Sequence, residues 1–259
     1  MTELRIDPKK VAYVLLWVVM VLSLLNSSLL GLHFYLGDSA PDKLAEYFDF
    51  DIEGNIPTLY SAVTVFICSG LLALIARVNW NRPGGKRYYW MGLSVLFLFL
   101  ALDEGAAIHE ELSNFLEQYM QARGALFFLW VIPYGIATAL LAIVYFRFVW
   151  ELPKVTRARF IGAGLLFVGG ALGFDMVGAI VAERSGYDTV LYTLLYTIEE
   201  MLEMLGIVLF IYALLCHLAE ETGGLVLRLS PPGQSVPGFR LFGSRRGGLE
   251  PNNRKPGTD

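Results

Sequence analysis

The 259-residue chain is 55% apolar and 17% charged, with a net charge of −4, and its mean hydropathy is +0.53. A soluble domain would carry ~25% charged residues, so composition excludes a water-soluble globular enzyme, and no nucleic-acid partner is expected. The two cysteines, Cys68 and Cys216, lie inside apolar stretches, which leaves neither a disulfide framework nor a thiolate metal site.

The apolar residues fall in blocks near 11–35, 58–77, 88–110, 125–147, 160–182 and 189–217, each reaching the ~20 residues that cross a bilayer. The fold class is therefore all-α: a polytopic membrane helix bundle of six transmembrane helices. The first block follows Lys9 and Lys10 but is too long for a signal-peptide core, and no A-x-A cleavage pattern follows it, so it reads as a retained span. Asn26, Ser27 and Ser28 occupy its far half and His33 its far end.

Loop charges set the orientation. The N-terminal segment 1–10 carries Arg5, Lys9 and Lys10. The second–third loop carries Arg77, Arg82, Lys86 and Arg87, and the fourth–fifth loop Arg147, Lys154, Arg157 and Arg159. These segments are expected in the cytoplasm. The loop 36–57 holds Asp38, Asp42, Glu46, Asp49, Asp51 and Glu53 against Lys43 alone, and belongs outside, as does the acid-rich stretch Glu111–Arg123. Both termini are then cytoplasmic, in a membrane read as the bacterial or archaeal cytoplasmic (inner) membrane. Within the first loop, Asp42–Phe48 has the composition of a short interfacial helix.

The third span reads Asp103-Glu104-Gly105-Ala106-Ala107-Ile108-His109-Glu110-Glu111. On one continuous helix Asp103 and Glu110 lie within about 20° of each other, an acid-small-small-acid stripe, with His109 roughly 120° away. The fifth span carries Asp175 in its outer half and Glu183 at its end, among many glycines. Its pairs Gly169/Gly173 and Gly178/Ala182 are small-xxx-small spacings that allow close approach, either within the chain or to a second copy or another membrane protein. The sixth span places Tyr192, Tyr196, Glu199, Glu200 and Glu203 on one side. The domain 11–221 ends in a Gly-, Pro- and Arg-rich tail, 222–259, whose composition reads as disordered and whose basic residues suit anionic membrane lipids.

Acids at this depth are costly. At ~2.5–3.5 kcal/mol each, Asp103, Glu104, Asp175, Glu199, Glu200 and Glu203 together cost on the order of 15 kcal/mol, and no Lys or Arg lies deep in a span to neutralise them. They must share protons, bind a cation or line water. The candidate cation site is thus Asp103, Glu104, His109, Glu110, Asp175, Glu199, Glu200 and Glu203, with His33, Glu183 and Tyr196 as further members. Carboxylates with an imidazole suit Mn, Fe or Zn, and carboxylates with water suit Mg or Ca.

The leading expectation is a protein that binds or translocates a divalent metal or a proton, with His217, five turns from Glu199, as an inward step. A second is a metal-dependent membrane enzyme acting on a lipid-like substrate; Glu200-x-x-Glu203 is present, but position 106 is Ala where a di-metal Glu-x-x-His pair with His109 needs an acid. A third is an accessory subunit of a membrane complex. Three histidines split between opposite ends exclude a three-histidine zinc hydrolase. Met204 stands where the E-E-x-x-x-R pattern of intramembrane proteases needs arginine.

Overall fold

The computed structural model describes residues 2–36, 42–81, 86–224 and 226–229. They form an all-α bundle with six helices long and apolar enough to cross a membrane. In chain order these elements are a strand β1 (Thr2–Arg5), α1 (Pro8–Leu36), α2 (Asp42–Glu46), α3 (Ile56–Val78), α4 (Arg87–Ala106) and α5 (Ile108–Glu117). They continue with α6 (Val131–Trp150), α7 (Lys154–Val168), α8 (Asp175–Ser185), α9 (Val190–Thr222) and β2 (Val226–Leu229). The short helix read in the first loop is α2.

β1 and β2 pair antiparallel, Thr2 opposite Leu229, so the segments just before α1 and just after α9 meet at one end of the bundle. In the tail that composition marks as disordered, Val226–Leu229 is thus a paired strand. Residues 230–259 of that tail, with Arg240, Arg245, Arg246 and Arg254, lie outside the described residues.

The central element is α9, packed by α1, α3, α7 and α8 and buried through Ile207, Ile211, Leu214 and Leu218. Lipid is as apolar as leucine, so close fit rather than hydrophobic exclusion holds such helices together. That fit is visible at Gly206: a Cβ there would stand 2.8 Å from the Phe167 backbone nitrogen. Between α3 and α4 the clasp is polar. Ser69 Oγ donates to the Ser94 carbonyl at 2.8 Å and Ser94 Oγ to the Ser69 carbonyl at 3.0 Å.

Two breaks depart from the sequence reading. The third span does not continue to residue 110: it stops at Ala107, whose φ of 49° and ψ of 41° are left-handed, and α5 leaves in a new direction. The Asp103–Glu110 stripe therefore does not exist as a helical face. The fifth span is not a continuous α-helix either, because Gly169–Phe174 forms a π-helical turn between α7 and α8. Of the glycine pairs, Gly169 and Gly173 meet nothing within 4 Å, whereas Gly178 faces Tyr192 at 3.8 Å. The close approach falls at Gly170, where a Cβ would lie 2.7 Å from the Glu199 carbonyl oxygen and 2.9 Å from Glu203 Cγ.

Candidate functional site

The first loop folds back into the acidic end of the bundle instead of lying over it. Asn55 caps α3 by accepting from the Thr58 N–H at 3.2 Å, and its Nδ2 donates to the Asp49 carbonyl at 2.6 Å. Asn26, buried in α1, accepts from the Phe50 N–H at 3.2 Å and donates to Thr197 Oγ1 on α9 at 3.0 Å. With Phe50 buried behind it, the loop presents Asp51 and Glu53 toward the helices. Asp51 Oδ1 accepts from the Tyr192 hydroxyl at 2.8 Å.

The break at Ala107 is what brings His109 to this loop. Asp103, buried near the end of α4, accepts from the His109 backbone N–H at 2.9 Å and from the Tyr134 hydroxyl at 2.9 Å, both on Oδ1. One carboxylate thus satisfies the first turn of α5 and ties α6 to α4. The left-handed Ala107 costs ~1–2 kcal/mol, a strain of the kind that gathers at functional sites.

The imidazole of His109 stands between two acids: Nδ1 is 3.6 Å from Asp103 Oδ1 and Nε2 is 3.8 Å from Glu53 Oε1. Its edge meets the Trp130 ring at 5.1 Å. Glu53, His109 and Glu110 place one ligand atom each within 4.8 Å of one another, a spacing at which three donors can share one ion.

Below this trio lie the acids of the spans. Glu104 is within electrostatic reach of Glu53, Asp103 and Glu200, Asp175 of His109 and Asp51, and Glu200 of Glu53, His109 and Asp51. Glu203 neighbours Glu104, Asp175, Glu199 and Glu200 in the same sense. All eight residues of the main sequence-derived set therefore converge on one end of the bundle. Asp175 is buried with its Oδ2 lacking a hydrogen-bond partner, as is Glu53 Oε2. A buried carboxylate oxygen with no donor calls for a proton or a cation.

The further members fall elsewhere. Glu183 is exposed and accepts from the Gly124 N–H at 2.6 Å, closing the turn before α6. His33 and Tyr196 line a neighbouring recess of about 230 Å³ with Asp49, Asp188 and Asp51, the last shared with the cluster. His217 sits at the opposite end, stacked on Trp90 at 5.1 Å and 3.6 Å from Glu221. Between it and Glu203, α9 carries no carboxylate, imidazole or basic side chain, and Met204, Ile207, Val208, Ile211 and Leu214 there are buried. The expected inward step through His217 is therefore separated from the acids by packed apolar core. Sequence reasoning missed Asp51, Glu53 and Tyr134. The first two looked like solvated loop charges, and their only local signal is the Asn55-Ile56-Pro57 helix start that folds the loop.

At the first loop and α5, the proton affinities of Asp51, Glu53 and His109 shift in one direction. Burial raises Asp51 to about 6, with the charges of Asp49 and Glu110 adding to it and the Tyr192 hydrogen bond opposing. Burial also raises Glu53, helped by Glu110 and Asp103 and opposed by His109. For His109, burial works against the charged form, but the adjacent Asp103 carboxylate and the charges of Glu53 and Glu110 outweigh it and raise its pKa. A cation entering the trio must displace the proton that these groups otherwise hold.

The arrangement defines a six-span helical membrane protein with an acid–imidazole cluster at one end. The chain belongs to the family described as Domain of unknown function (DUF8692), whose sequence profile matches residues 11–218. No curated protein and no solved structure matches it.

Proposed function

We propose that the protein binds a divalent transition-metal cation at the acidic end of the bundle, with Glu53, His109 and Glu110 as ligands and Asp103, Glu104, Asp175, Glu199, Glu200 and Glu203 as the surrounding anionic shell. The observation that carries this reading is the convergence of one imidazole and two carboxylates within 4.8 Å above a group of membrane-embedded acids that has no Lys or Arg partner among the described residues. The imidazole favours Mn, Fe or Zn over Mg and Ca. Asp103 is the outer partner that orients His109, the usual companion of a ligating histidine.

The loop charges support a reading in which this end faces away from the cytoplasm. Binding is favoured over translocation because the span between Glu203 and His217 offers a cation no polar side chain beyond Tyr212 and Cys216.

The test is elemental mass spectrometry of protein purified in detergent without chelator. The expected result is about one transition-metal ion per chain, as one three-ligand site allows, lost in Glu53→Gln and in His109→Ala. Protein without metal that also fails to take up added Mn, Fe or Zn overturns the reading, and so does metal retained in both variants.

A further inference from the structure

A cavity of about 580 Å³ opens on the flank of the bundle between α4, α6, α7 and α9, with a lining that is apolar apart from a few hydroxyls. Its origin is the way α6 is seated. The buried residues of this helix are Val131 and Phe148, one at each end, so its middle stands away from the core and leaves a cleft walled by Phe97, Ala137, Leu141, Gly164, Ala171 and Phe210. From Tyr134 to Val149 the wall of α6 runs about 22 Å at 1.5 Å per residue, enough for the ~15 Å of hydrocarbon in one leaflet.

The cleft is continuous with the acid cluster. Trp130 and Tyr134 both line it; Trp130 meets the His109 ring, and the Tyr134 hydroxyl donates to Asp103. An apolar slot of a chain's length, open toward the bilayer and ending at a tyrosine hydroxyl and carboxylates, has the chemistry of an amphiphile site. The charge at its head selects among lipids: the surrounding acids repel an anionic headgroup and attract an ammonium.

We infer that the cleft binds a zwitterionic aminophospholipid, its hydrocarbon chain along α6 and its ammonium at the Asp103–Tyr134 end. The lipid phosphate then lies toward the cation of the proposed metal site, and the inference rests on that reading for this last contact alone. The lipid is a second ligand, supplied by the membrane itself.

The test is native mass spectrometry of the full chain released from mixed micelles containing equal amounts of phosphatidylethanolamine, phosphatidylcholine and phosphatidylglycerol, with metal content measured on the same samples. The expected result is one retained phosphatidylethanolamine, preferred over phosphatidylglycerol by about tenfold or more, a difference of ~1.4 kcal/mol. Gly164→Phe puts a ring in the cleft from a position where a Cβ meets nothing within 4 Å; it is expected to lose the lipid and keep the metal. Asp103→Asn is expected to keep a lipid but lose the preference for the amine.

Equal retention of the three lipids by the wild-type chain overturns the inference, as does undiminished retention in Gly164→Phe. Since the wild-type competition needs no variant, the outcome does not depend on how a substitution folds. A wild-type chain that retains metal but no lipid removes this inference and leaves the metal site standing, whereas a wild-type chain without metal but with the lipid preference intact does the reverse.

Discussion

Gly170→Ala is expected to destabilise the protein by about 3 kcal/mol, the upper end of the cost of overpacking a tight contact, and to abolish the ordered arrangement of Glu199 and Glu203. The added methyl would stand 2.7 Å from the Glu199 carbonyl oxygen, 2.9 Å from Glu203 Cγ and 3.2 Å from Leu202 Cβ. The first of these atoms is backbone in the middle of α9, so it cannot rotate away. The π-helical turn Gly169–Phe174 and α9 must separate, and Asp175, which begins the next helix, moves with them. Gly169→Ala is the matched control: its methyl meets nothing within 4 Å. That substitution is expected to be neutral or stabilising by up to ~1 kcal/mol from helix propensity. Thermal unfolding in detergent compares the two, and equal midpoints would show that the contact at Gly170 is not limiting.

Asp103→Ala is expected to cost about 3 kcal/mol, while Asp103→Asn costs under about 1 kcal/mol, because one oxygen of Asp103 accepts both hydrogen bonds. Removing it strands the Tyr134 hydroxyl and the His109 N–H, at ~1–3 kcal/mol for each buried donor left unsatisfied. Asparagine keeps that oxygen and removes only the charge. The alanine variant also releases the left-handed Ala107, so α5 should exchange its amide hydrogens faster from His109 onward. If alanine and asparagine destabilise equally, charge rather than the shared acceptor is what Asp103 supplies.

These residues show how far a linear reading reaches. The six spans were legible because ~20 apolar residues in a row have one stable use in a membrane, and the sequence put Asp175, Glu199 and Glu203 at similar depth, but the meeting of their helix faces was not legible, because short loops do not fix helix order in a bundle. The break at Ala107 was not legible. Alanine is a strong helix former, and what bends the chain there is a carboxylate four residues earlier that holds the next helix's first turn.

The fate of Asp51 and Glu53 was hidden for a related reason. Their positions depend on Asn26 meeting Phe50 and Thr197, contacts that span 24 and 171 residues and leave no periodic trace. Tyr134, in turn, has the look of an interfacial tyrosine until α6 is seen to lean over Asp103.

The structure also gives the anionic cluster a division of labour. The loop and α5 supply the groups with an imidazole and easy access, and the spans supply acids whose charge is screened by neither lysine nor arginine among the described residues. In the proposed reading, a positive ion above and protons below keep such a group in a bilayer. The apolar cleft beside it opens the same cluster to the membrane.

The most direct test is the thermal-unfolding midpoint of chelator-treated protein at about pH 5.5 and about pH 7.5, with and without Mn2+. Asp51, Glu53 and His109 all have pKa values raised by the fold. Their stabilising protons are therefore held at low pH and lost as pH rises through the folded-state values, near 6 for Asp51. Without metal, the midpoint should be higher at the lower pH. Mn2+ should raise it at the higher pH, have little effect at the lower, where protons compete, and have no effect on Glu53→Gln at either. A wild-type midpoint that Mn2+ leaves unchanged at both pH values would contradict the cation site.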